Sequence, residues 1–164
     1  MGRVTEGLGL HEIIRAELFK ANPAGGWFPP VLQDVEDLIT NNGCIHIARR
    51  ISGLAAQSSN MGWIACGTMT TAASINDSVL SGEVIRKATA VASATSNNLY
   101  TAIATFGGAA ESISSVQLTE AGLFNHAQSG QGVMMQRVTF AAVTLADSDL
   151  FKITLETLVG SRTI

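Results

Sequence analysis

All three prolines of this chain, Pro23, Pro29 and Pro30, lie before residue 31. Beyond them, Gly, Asn and Ser clusters break the sequence at intervals of about 10–15 residues. Breaks that close leave room for strands joined by turns, but not for a strand, a crossover helix and a second parallel strand. A proline-free run also suits sheet interiors, where each backbone N–H is needed in the ladder. The expected fold is therefore mainly β, with an antiparallel β-sandwich or barrel-like body over residues 44–164.

The composition changes at nearly the same place. Residues 1–50 hold 11 of the 23 charged side chains and no serine, whereas the remainder is crowded with Ser, Thr, Ala and Gly. This pattern predicts an N-terminal arm over residues 1–43 attached to the β body, rather than two equal domains. With 164 residues, 46% of them hydrophobic and 14% charged, the chain can bury a core and is too apolar to be disordered. Its formal net charge of −3 argues against a general nucleic-acid binder, which needs cations against phosphates. The longest uncharged stretch, 51–76, is too rich in Ser, Asn, Gln and Thr to span a bilayer, and residues 1–6 lack a signal-peptide pattern. No membrane association is expected, and folding in the cytoplasm is.

Within the arm, Leu10, Ile13, Ile14 and Leu18 recur at helical spacing, and Asn22-Pro23 would stop that helix. A second short helix would start at Pro30, carry Leu32, Val35, Leu38 and Ile39 as its stripe, and close at Asn41-Asn42-Gly43. Between the two, Trp27-Phe28-Pro29-Pro30 cannot be helical, because Pro29 drives Phe28 toward extended backbone. This segment either folds back over one end of the sandwich or reaches a neighbouring subunit. Large aromatics give contact area at low entropic cost, so Trp27, Phe28, Pro29 and Pro30 are the candidate partner-contact residues.

In the body, strands are expected over 44–50, 62–66, 84–95, 99–106, 113–119, 133–143 and 150–159, the third and fourth joined in a hairpin about Ser96-Asn97-Asn98. One helical turn is expected over 74–81, with Asn76 or Asp77 as its cap. The last strand alternates cleanly, with Phe151, Ile153, Leu155 and Val159 on one side and Lys152, Thr154 and Glu156 on the other. Apart from Asp77 and Lys87, Glu83 and Arg86 are the only charges in a long neutral region. Isolated charges among apolar residues persist because they pair or cap something. Glu83 or Glu120 is expected to pair with Arg86, Arg137 or a backbone turn, supplying register and shape rather than chemistry. Gly122 would let its strand bend, with Leu123 and Phe124 anchoring the core.

Reactive constellations are absent from the sequence pattern. His11, His46 and His126 have no metal-ligand spacing, and Cys44 and Cys66 form no CxxC pair. Asp147-Ser-Asp149 lacks the rest of a calcium loop, and Ser129-Gly-Gln-Gly132 is no nucleophile elbow. No enzyme activity, metal or cofactor is expected.

Three pieces of the body carry a resemblance. They are Trp63-Ile-Ala-Cys-Gly67 with its Thr/Ala-rich loop, Leu80-Ser-Gly-Glu83-Val-Ile-Arg86, and Leu118-Thr-Glu120-Ala-Gly122-Leu-Phe124-Asn125 followed by Met135-Gln-Arg137-Val-Thr-Phe140. Together, over roughly residues 60–160, they resemble small structural proteins of tailed-bacteriophage virions, including capsid decoration (cement) proteins and tail-collar-fibre modules. The arm and Cys66 depart from that pattern. The resemblance implies a non-enzymatic virion protein, assembled in the host cytoplasm, that binds across major capsid protein subunits on the capsid exterior as a homo-oligomer, a trimer by analogy. A tail, collar, baseplate or fibre-attachment component is the alternative within virions. A carbohydrate-binding β-sandwich is the alternative from another class.

Overall fold

The computed structural model describes residues 8–35, 38–53, 60–94 and 99–161. In chain order the elements are β1 (Leu8–Phe19), β2 (Val31–Val35), β3 (Leu38–Ile39), α1 (Asn41–Ile51), β4 (Trp63–Gly67), β5 (Glu83–Ala88), β6 (Val91–Ala94), β7 (Leu99–Gly107), β8 (Gln117–Phe124), β9 (Met134–Thr144) and β10 (Leu150–Ser161). The strands form two five-stranded sheets, ordered β2-β1-β10-β7-β6 and β3-β9-β8-β4-β5, with every strand pair antiparallel.

One apolar cluster draws on both sheets. Ile14 and Ala16 of β1, Ala102, Ala104 and Phe106 of β7, and Phe151, Ile153 and Leu155 of β10 come from the first. Ile64 and Cys66 of β4, Leu118, Ala121 and Leu123 of β8, and Met135, Val138, Phe140 and Val143 of β9 come from the second. The Phe140 and Phe151 rings meet between the sheets at 5.6 Å, tilted by 53°. Each such side chain adds about 1.5–3 kcal/mol on full burial, so this cluster is the main source of stability. The outer face of the second sheet is covered in turn: Ala65, Phe124 and Met134 pack with Leu80 from the β4–β5 loop and with Trp63.

The two expected arm helices are not present. Residues 8–19 form β1, which pairs with β10 along its full length, from Leu8↔Ser161 to Phe19↔Leu150. Ile14, Ala16 and Leu18 face the core at a period of two. The apolar spacing that resembled a helix contains this alternation as well, and long-range pairing decided between them. Within the expected second helix, Val31–Val35 and Leu38–Ile39 are instead strands β2 and β3.

The one helix among the described residues begins where a helix was expected to stop. Thr40 is its N-cap, accepting from Gly43 N at 3.0 Å while its hydroxyl donates to Met134 O at 2.6 Å. Arg49 and Arg50 fill its last turn, where cations oppose the helix dipole. Gly43 lies against β9 so closely that a Cβ there would fall on Met135 O. The expected strand over 44–50 is thus helical. His46 and Ile47 turn inward together and Ile45 outward, whereas a strand would set His46 on the face opposite both isoleucines.

The helical turn expected over 74–81 is instead a turn in which Ser74 N donates to Asp77 Oδ2 at 2.8 Å. The expected boundary between residues 43 and 44 falls inside α1. The hairpin turn expected at Ser96-Asn97-Asn98 lies outside the described residues. Among the described residues, no helix is long and apolar enough to cross a membrane.

Candidate functional site

The aromatic–proline segment lies at the tip of the β1–β2 hairpin. Asn22 starts the reversal: its N donates to Gly26 O at 3.1 Å, its O accepts from Gly25 N at 2.8 Å, and its side-chain Oδ1 accepts from Ala24 N at 2.9 Å. Gly25 and Gly26 take positive φ, +99° and +77°, which a side chain would disfavour. Ala21 then bridges Trp27, and Phe28 N donates to Lys20 O at 3.0 Å.

Beyond this reversal the apolar side chains stand in solvent. Trp27 is 46% exposed, Phe28 47%, Val31 58% and Leu32 56%. Pro29 is exposed and Pro30 half-buried. No charged residue lies between Lys20 and Asp34. Among the described residues strand β2 is an edge of its sheet, so one side of its backbone faces no neighbouring strand there. Val31 and Leu32, adjacent residues on opposite faces of a strand, are both exposed.

The charges singled out in the sequence form two separate knots at the other sheet. In the first, Glu120 of β8 is fully buried and Arg137 of β9 nearly so. Arg137 Nε donates to Glu120 Oε2 at 2.9 Å, and its Nη1 donates to Asp77 Oδ2 at 2.7 Å. Its remaining donors reach Thr71 O at 3.0 Å and Ala72 O at 3.3 Å. Glu120 Oε1 accepts from Met69 N and Gly82 N at 3.4 and 3.3 Å, and Thr119 Oγ1 donates to Met69 O at 2.9 Å. The β4–β5 loop is therefore seated on a buried ion pair. Burial alone would lower the Arg137 pKa, but hydrogen bonds to Asp77 and Glu120 outweigh it and hold the guanidinium charged. Gly67 leaves the space the Glu120 carboxylate occupies, since a Cβ there would fall on Oε1.

In the second knot, Arg86 and Glu83 of β5 form a two-bonded fork, Nε to Oε1 at 2.8 Å and Nη2 to Oε2 at 2.7 Å. The guanidinium lies 3.7 Å from the centre of the Phe124 ring. Its Nη1 donates to His126 O at 2.9 Å and Gln131 O at 3.1 Å, fixing the Gly-rich β8–β9 turn. A depression of about 300 Å³ beside it is lined by Glu83, Val84, Ile85, Arg86, Ala127 and Ser129. Gly122 lies on β8 between two register shifts, at Leu118/Glu120 and Leu123/Phe124, and Leu123 and Phe124 are fully buried. A third pair, Lys87 with Glu111, ties β5 to the turn after β7, where Glu111 also accepts from Gly107 N.

These groups hold loops and have their polar atoms turned toward one another. Burial first, and then the charges of Glu120 and Glu83, push the Cys66 thiol up, so it stays protonated and unreactive. The His46 pKa is lowered by burial and by Arg50 and Arg49, and His126 is exposed with Nδ1 accepting from Gln128 N at 3.1 Å. Among the described residues, no group of three or more His, Cys, Asp or Glu is placed to hold a metal ion.

In the sequence Val31 and Leu32 read as part of a helix or its stripe, and nothing there marks Lys20 and Asp149, which meet at the base of the hairpin. The Asp147-Ser-Asp149 turn was visible, but nothing local could pair it with residue 20. Compared with protein families, curated proteins and solved structures, the chain matches none.

Proposed function

We propose that this chain is a non-enzymatic structural protein of a tailed-phage virion. On this reading it is a capsid decoration (cement) protein that works by adhesion through its β1–β2 hairpin. The observation that carries the adhesive part is the hairpin tip. Trp27, Phe28, Val31 and Leu32 stand in solvent on a charge-free segment next to an open sheet edge. Aromatics held in this way are the residue types that dominate binding energy at interfaces. The virion part rests on the resemblance of the three sequence pieces described above.

On this reading the two sheets form a β-sandwich that serves as a stiff mount. Ion pairs hold the β4–β5 loop, the β8–β9 turn and the turn after β7 against the sheets, leaving a nearly neutral surface that packs in many copies without repulsion. A homo-oligomer, a trimer by analogy, touches several major capsid protein subunits at once, so each later contact is effectively intramolecular. Binding only the assembled shell, it stabilises that shell by mass action. The test compares heat and low-salt resistance of particles assembled with and without the chain. Greater resistance with it is expected, and equal resistance overturns the cement role.

Copy number per particle separates the head position from a tail, collar or baseplate one, since only a head role gives high copy number. The carbohydrate-binding reading has a specific foothold in Trp27, an exposed aromatic suited to stacking, whereas Trp63 packs against Phe124 and Met134. A glycan array with loss of signal on Trp27→Ala would favour that reading.

A further inference from the structure

The hairpin tip is joined to the body by two short legs. One leg is Lys20-Ala21 and the other is Pro29-Pro30, which lies outside the β1–β2 ladder. The ladder itself ends at Leu18↔Val31. Apart from the hairpin's own bonds, the first leg is held, among the described residues, by the Asp149 carboxylate and by Thr144 O. Asp149, 3% exposed, accepts from Lys20 Nζ at 2.6 Å through Oδ2 and from Ala21 N at 3.2 Å through Oδ1. Oδ2 also accepts from Ala146 N at 2.8 Å, and Asp149 N donates to Ala146 O at 3.1 Å, closing the β9–β10 turn. Lys20 Nζ also donates to Thr144 O at 3.2 Å, at the end of β9. Both oxygens of this carboxylate thus join two segments far apart in sequence, at the point where the tip leaves the sheet.

An apolar tip held rigidly in water gains nothing by itself. Rigidity matters if the tip is to dock, because a segment already in its bound pose loses little entropy on binding. The proline leg fixes φ at two positions and supplies the same stiffness on the other side. We propose that Asp149, with Lys20, is the latch that holds the Trp27–Phe28 hairpin in its projecting pose, a positioning pair for the contact residues. Its consequence for binding rests on the adhesive reading given above, whereas the latch itself does not.

Residue-resolved amide hydrogen exchange tests it on the full chain. In Asp149→Asn, amides of Ala21, Asn22 and Phe28 should exchange at least tenfold faster than in the wild type. Amides of Ala121 and Leu123 in β8 should keep their rates. Lys20→Met, which leaves the β9–β10 turn its own bonds, should do the same to a smaller degree, and Lys20→Arg should restore protection. Unchanged tip amides overturn the latch. So does an equal acceleration of tip and β8 amides, which would make Asp149 a support of global stability only. Sedimentation with particles separates the two ideas. Weaker binding of Asp149→Asn at unchanged β8 protection supports the positioning role. Undiminished binding with a loosened tip refutes it. If the wild type binds no particle, the adhesive reading fails and the exchange result still decides the latch.

Discussion

Replacing Glu120 with alanine removes the carboxylate on which the second sheet seats the β4–β5 loop. Arg137 then keeps Asp77, Thr71 O and Ala72 O but loses the acceptor of its Nε at 2.9 Å, in a site where it is 4% exposed. Breaking a buried pair by removing one partner costs about 3–5 kcal/mol, because a charge is left without full compensation. Asp77 remains at 2.7 Å, which places the expected cost near the lower end, about 3 kcal/mol. For a domain of this size each kcal/mol moves the melting midpoint by about 2–4 °C, so a fall of about 6–12 °C is expected. The companion variant Glu120→Leu with Arg137→Met removes both charges of the pair, while Asp77 and the Met69 and Gly82 amides lose those partners. It should cost less than the two single variants added together, since neither charge of the pair is left buried alone. Urea unfolding at constant m-value measures all of these. A Glu120→Ala cost below about 1 kcal/mol would mean that Arg137 does not depend on this carboxylate, and a double-variant cost equal to both single costs together would mean that the two groups are not coupled.

Other outcomes follow from single contacts. Gly43→Ala should destabilise by about 1–3 kcal/mol in urea unfolding, because its Cβ would fall on Met135 O in the contact that seats α1 on β9. The Asp149 carboxyl lies below its ordinary value; burial opposes this shift, but the Lys20 bond and the Ala146 and Ala21 amides outweigh burial. Its contribution is therefore complete above about pH 5 and is lost as pH falls through the folded pKa; Asp149→Asn should flatten that acid limb of a melting-versus-pH curve. His46 is depressed by burial and by Arg50 and Arg49, so the unfolded chain binds its proton more readily. Stability should drop as pH falls from about 7.5 to 5.5, and His46→Gln should remove that slope.

What could be read from the sequence depended on whether local pattern and tertiary pairing agreed. Strand β10 was legible because Phe151, Ile153 and Leu155 alternate with polar residues and all three are fully buried. Strands β7 and β9 were also close to their expected bounds. Residues 8–19 were misread because Leu10, Ile14 and Leu18 fit both periods, with Ile13 completing only the helical one. Only the partner strand at the far end of the chain selects the extended one. Asn41-Asn42-Gly43 suits either end of a helix by residue type. The cap by Thr40 and the close approach of Gly43 to Met135 fixed it as the start. The buried charges announced themselves by their isolation, but which acid met which base depended on strand register. Glu83 takes Arg86 three residues along, whereas Glu120 takes Arg137 across the β8–β9 pair. The aromatic–proline segment could be seen as a contact candidate, yet its open edge strand and its tie to Asp149 exist only in the folded chain.

On the proposed reading, adhesion resides in the exposed hairpin tip. Co-sedimentation of the purified chain with assembled particles lacking it, comparing wild type with Trp27→Ala/Phe28→Ala, measures that directly. Both side chains are nearly half exposed, so the double variant should keep its melting midpoint. Two interface anchors worth about 2 kcal/mol each predict a loss of affinity of at least about a hundredfold. Equal sedimentation of variant and wild type at matched concentration would contradict that reading.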